Sequence, residues 1–158
     1  MPPTITDAVG LARRGLRFAL RRPREALLVA LMARDVATLS LFVKLLPLPR
    51  ALSLLAPRAP SRTTDRRSVS DERVVQLLDS LLGIDALCFT PTCWKRAAVL
   101  HRRLALRGRA TRIVFGVRRG CEESLSGHAW LEAGGAPLYE VEAPEYSVTY
   151  SFPSGLRH

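Results

Sequence analysis

Cysteine is scarce in this chain, and so is lysine. The three cysteines, Cys88, Cys93 and Cys121, are an odd number without framework spacing, which excludes a disulfide scaffold and points to a reducing compartment. No secretory leader pattern is read at the N-terminus, so the expected location is cytoplasmic. There is no Cys-x-x-Cys pair, and one of only three histidines is the last residue; a metal site such as zinc lacks ligands. No glycine-rich phosphate loop is present, which leaves no ATP hydrolysis and no cofactor to expect. Aromatic residues make up 6% of the chain, and no basic run is interleaved with them as single-strand binding requires. A nucleic-acid partner is not expected.

What the chain does have is arginine. The formal charge is +10, and every basic residue except Lys44 and Lys95 is an arginine. Residues 1–70 hold 13 basic and 4 acidic side chains, whereas residues 120–158 hold 1 and 6. Arginines scattered in this way read as a solvated surface that favours an acidic partner. A chain of 158 residues has room for one domain with a core and a helical appendage.

The first half, residues 1–56, reads as helical. Apolar and arginine positions alternate at helical spacing over 7–22, and Pro23 suits the first turn of a second helix, where its missing N–H costs nothing. That helix is expected from about Arg24 to Leu46, stopped by Pro47 and Pro49. It is long and apolar, but Arg34 and Asp35 near its middle would each cost roughly 2.5–3.5 kcal/mol at a bilayer centre. A helix packed against protein is expected, with no membrane span. Residues 57–69, rich in Pro, Ser and Arg, read as a linker or exposed loop.

Residues 70–158 read as the catalytic domain. Ser70 caps a helix with Asp71 and Glu72 in its first turn, a stripe of Val74, Leu77, Leu78, Leu81 and Leu82, and Gly83 at its end. Thr92 is placed to cap the next helix, which carries Cys93 in its first turn and stops at Gly108. Strands are expected at 111–118, 128–132 and 137–142, the last two forming a hairpin around Ala133-Gly134-Gly135.

Cys93 and His128 carry the chemistry. A thiolate at a helix N-terminus is stabilised by unpaired backbone N–H groups and the helix dipole. An imidazole brought up on a strand can hold the ion pair and later protonate a leaving amine. His128 follows Cys93 by 35 positions, and Glu140, 12 further on, is the first candidate to orient its ring; Glu142 and Asp85 are fallback partners. A two-residue turn at Gly134-Gly135 would set His128 opposite position 141 and turn Glu140 to the other face. A three-residue loop would set Glu140 directly opposite His128, and Gly135 suits its left-handed last position; an odd-numbered loop is expected. Cys88 and Cys121 read as small core residues, or Cys121 as a surface residue beside Glu122 and Glu123, His101 as a packed or surface imidazole, Trp130 as core filling beside the site, and Glu132 as solvated or ion-paired.

The stretch Cys93-Trp94-Lys95-Arg96-Ala97 with Leu100, then Arg107-Gly108-Arg109-Ala110, Val114-Phe115-Gly116-Val117-Arg118 and Gly127-His128-Ala129-Trp130-Leu131-Glu132, resembles the transglutaminase-like cysteine proteases of lasso-peptide biosynthesis. The resemblance spans roughly residues 70–145. It implies an α+β fold with a transglutaminase-like or papain-like core, a helix packed on an antiparallel sheet. It further implies a peptidase that removes the leader from a ribosomally made precursor before an ATP-dependent cyclase closes the ring. Cys93 matches the nucleophile and His128 the general base or acid, while Glu140 stands where the family usually has an aspartate. No segment fits the winged-helix leader-binding domain of such systems, which implies a separate leader-recognition protein as partner. A transglutaminase-type acyltransferase or a non-catalytic scaffold of a peptide-modifying complex are the alternatives.

Overall fold

The computed structural model describes residues 17–57, 69–84, 92–119, 125–140 and 144–153. The readings placed on 7–16, 58–68, Asp85, Cys88, Cys121 and Glu142 lie outside these residues. After helical residues 17–21, the first long helix, α1, runs Pro23–Leu45 with Pro23 in its first turn. Pro47 and Pro49 end it as the sequence suggests, but they also open a short helix, α2, Leu48–Leu55, which buries Ala51, Leu52 and Leu55 along one side. Proline tolerates a first turn as readily as it terminates a helix.

Helix α3, Asp71–Leu82, behaves as its sequence dictates. Ser70 Oγ accepts the Arg73 backbone N–H at 3.2 Å, and the whole expected stripe is buried. Asp71 is held below the ordinary carboxylate range: burial works to raise it, and hydrogen bonds from Arg107 and Arg109 more than offset this. Helix α4, Cys93–Ala105, buries Ala97, Ala98, Val99, Leu100 and Leu104, and stops where Gly108 turns left-handed at φ 77°.

Among the described residues four strands follow: β1 Arg112–Arg119, β2 Leu125–Ala133, β3 Ala136–Leu138 and β4 Ser147–Phe152, in the spatial order β3-β2-β1-β4, all antiparallel. The fourth strand has no counterpart in the sequence reading, although Val148, Thr149 and Tyr150 are residues that strands favour. One face of the sheet meets the helices. Ile113 and Leu131 join the central core, with Phe115, Leu138, Tyr150 and Phe152 packed against it. The fold is α+β, with an N-terminal helical region.

The same core contains Met32, Val36 and Leu39 of α1 together with residues of α2, α3 and α4. Asp35 explains why so apolar a helix carries a carboxylate. Its side chain is 3% exposed and pairs with Arg103 of α4, itself 8% exposed, while Arg102 Nε lies 3.3 Å away. Burial pushes the Arg103 guanidinium down from its ordinary value and Asp35 opposes that shift. Helix α1 is long and apolar enough to cross a bilayer by length and composition; in this fold the buried pair ties it to α4, and Leu27, Leu41 and Leu45 are left exposed on it.

His101, on the same helix, is buried with Nδ1 2.9 Å from Thr111 Oγ1 and its ring edge-on to Phe152. Burial lowers its pKa. Glu132 is also buried, taking Arg112 Nε at 2.7 Å and the Trp130 indole N–H at 3.0 Å.

The hairpin departs from expectation. Ala133 pairs with Ala136, so the loop has two residues, not three. Gly134 and Gly135 both take positive φ, 60° and 83°, the combination that a tight primed turn between twisted strands demands.

Candidate active site

A two-residue turn should turn Glu140 away from His128, since side chains alternate along a paired strand. Yet His128 Nε2 and Glu140 Oε2 stand 3.3 Å apart. The ladder ends at Leu138, and Tyr139 adopts φ 60°. A single left-handed residue reverses the alternation and delivers the next side chain to the opposite face. Such a conformation is unusual for a residue bearing a Cβ and persists only where surroundings hold it. Arg96 of α4 does so. Its Nη2 donates to the Tyr139 carbonyl at 3.2 Å and its Nη1 to Glu140 Oε1 at 3.3 Å, while Asp79 of α3 receives Nε at 2.7 Å. Arg96 stands three positions after Cys93, one helical turn on, a spacing that could have drawn attention to it in the sequence.

Cys93 is the first residue of α4 and is partly exposed. Thr92 holds the N-cap position with extended backbone, φ −138° and ψ 137°, but makes no side-chain cap; its Oγ1 is buried without a hydrogen-bond partner among the described residues. The expected cap is therefore not formed. Ser70, by contrast, caps its helix through Oγ, whereas the Thr92 side chain takes none of the first-turn N–H groups. Those donors are left for whatever charge develops at Cys93.

His128 lies opposite Gly116 in the β1–β2 ladder. Its ring sits over Trp130 at 5.9 Å and 15° and beside Tyr146 at 5.4 Å and 34°, with the Arg118 guanidinium 4.8 Å from the Tyr146 ring. Offset aromatic contacts of this kind fix a ring's plane. Gly116 makes room for them. A Cβ there would lie 2.7 Å from Tyr146 Cβ and 3.0 Å from the Trp130 ring, closer than side chains approach. Tyr146 is a neighbour that sequence reasoning missed, because it reaches the site from a segment far along the chain.

Cys93 and His128 line one cavity of about 470 Å³. Its walls also come from Trp94, Phe115, Val117 and Ala129, and from Val43 and Leu48 at the corner between α1 and α2. No local signal marks those last two residues, since the contact exists only once the helices pack. Nucleophilic attack needs a thiol that can ionise, an imidazole that can move a proton, and a water-poor space for the scissile group; the cavity holds the first two and is mostly apolar.

Residues 33–151, 119 of the 158, match the model of the transglutaminase-like superfamily core. The chain belongs to the transglutaminase-like superfamily, which includes cysteine peptidases. No curated protein and no solved structure matches it.

Proposed function

We propose that the protein is a cysteine peptidase that removes the leader from a ribosomally made lasso-peptide precursor. The observation that carries the catalytic part is that Cys93 and His128 line one apolar cavity, with Glu140 at 3.3 Å from the imidazole. In this reading the Cys93 thiolate, supported by the uncapped first turn of α4, attacks the scissile carbonyl carbon. His128 then gives its proton to the departing amine, leaving a thioester on Cys93. Water, deprotonated by His128, attacks the thioester; the acid product leaves and the thiol is restored. With Nε2 turned to Glu140, Nδ1 is the nitrogen that exchanges protons with sulfur, and Glu140 stabilises the imidazolium as a carboxylate does in related triads.

The leader-peptide part rests on the resemblance of the Cys93, Gly116-Val117-Arg118 and His128-Ala129-Trp130 segments to that peptidase family. A separate leader-recognition protein and an ATP-dependent cyclase complete the system. The exposed Leu27, Leu41 and Leu45 of α1 support a protein partner docked on the helical region. The charged pair at Asp35 supports a helix packed within the protein over a membrane span; a cytoplasmic location is part of the same proposal.

The test is cleavage of full-length precursor by this chain, with and without its recognition protein, followed by mass spectrometry. Cys93→Ala and His128→Ala are each expected to lose several orders of magnitude in rate, since such residues act as a unit. A Cys93→Ala protein that still cuts the precursor would end the assignment. An amine in place of water would make the same acyl-enzyme a transglutaminase, and products formed in the presence of added amines separate the two.

A further inference from the structure

Among the described residues that line the 470 Å³ cavity, the polar side-chain groups besides Cys93 and His128 are the Thr149 hydroxyl and the Trp94 indole N–H, and none of these carries a fixed charge. Protein interiors rarely leave voids larger than a water molecule, and a space of this size falls within the range of small-molecule sites, about 300–1,000 Å³. Its wall includes Cys93, which is partly exposed, so it is not sealed in the core, and a substrate group is its natural occupant. The walls choose the chemistry of that group. Phe115 and Val117 lie on β1, and Val43 and Leu48 lie at the α1–α2 corner; none can pair with a charge. A charged substrate side chain would lose its hydration here without a partner, whereas a branched aliphatic or aromatic one would gain by leaving water.

We infer that this cavity is a specificity subsite, which selects a large apolar side chain on one of the two residues flanking the scissile bond. This rests on the peptidase reading. Val43 and Leu48 are the selecting wall, so the N-terminal helices take part in substrate choice and do not merely cover the sheet.

The experiment uses the whole chain and a series of short internally quenched peptides. Each flanking position in turn carries Gly, Leu, Phe, Asp or Lys. At one position kcat/KM for Leu or Phe is expected to exceed that for Gly by about 10- to 100-fold, with Asp and Lys below Gly. Leu48→Trp and Val43→Trp, each checked by circular dichroism, should fill the space and move the preference toward Gly. Cys93-dependent cleavage that varies by less than about threefold across both positions would overturn the subsite. Binding of the same peptides to the Cys93→Ala protein, read by the fluorescence of Trp94 and Trp130 together, keeps the two ideas apart. Apolar-selective binding without cleavage by the unsubstituted chain supports the subsite and sinks the peptidase reading; binding that ignores the side chain, or no binding at all, overturns the subsite.

Discussion

Replacing Asp35 by alanine should unfold this protein far more easily than replacing any surface charge. The carboxylate is 3% exposed and faces Arg103, 8% exposed, with Arg102 at 3.3 Å. Arginine cannot shed its proton within any ordinary pH range, so removing Asp35 leaves a cation inside the α1–α4 interface. Breaking a buried pair from one side costs about 3–5 kcal/mol. Arg34, 61% exposed and 3.4 Å from the same carboxylate, adds little because solvent screens it. For a chain of this length each kcal/mol lowers Tm by roughly 2–4 °C, so a fall of about 6–20 °C is expected. Urea unfolding followed by Trp fluorescence and by far-ultraviolet circular dichroism measures the change. Asp35→Leu combined with Arg103→Met should recover most of the loss, since an apolar pair can replace a buried ionic one with little or no penalty. A cost below about 1 kcal/mol for Asp35→Ala, with an unchanged m-value, would mean that water reaches the pair, and the packing of α1 on α4 would have to be redrawn.

Glu140→Gln should lower kcat far more than it raises KM, measured on precursor cleavage; unchanged turnover would move the orienting role elsewhere. Tyr139→Val should reduce turnover while the fold survives, because a β-branched residue is a still rarer occupant of positive φ than tyrosine. Tyr139→Asn, which tolerates that conformation, should retain more activity in the same assay. Stability should also fall on acidification. His101 has its folded pKa lowered by burial, so the unfolded chain takes up the proton first, near pH 6.5. The stabilisation is whole above that value and is lost as pH falls toward the depressed folded value. Urea midpoints from pH 7.5 to 5 should show the slope, and His101→Gln should flatten it.

Local patterns were legible where local physics decides. The Ser70 cap, the five-residue stripe of α3 and the stop at Gly108 all follow from helical periodicity and end chemistry, and each stands where the sequence puts it. The tight turn was misjudged because glycine serves both loop lengths, and only strand pairing decides between them. The Tyr139 backbone had no signature at all: an aromatic residue reads as strand, and its positive φ depends on Arg96, 43 positions earlier. Thr92 has the side chain and the extended backbone of a cap, yet makes no such bond. Glu132 and Asp35 show the same gap for charge, since their partners Arg112 and Arg103 are separated from them by 20 and 68 positions.

The carboxylate beside His128 is held by a bend in the chain and not by strand pairing, and this bears on which acid can stand there. Across a regular ladder, facing side chains are set at a fixed spacing of about 4.5–5.5 Å between their Cβ atoms, so one extra methylene would overshoot its mark. At Glu140 no such spacing applies, because β3 has already ended. The position of the carboxylate is set instead by the Tyr139 backbone and by Arg96, which bonds both the Tyr139 carbonyl and Glu140. The acid at this point is therefore placed independently of the strand ladder, so a glutamate stands beside His128 here with the sheet itself regular up to Leu138.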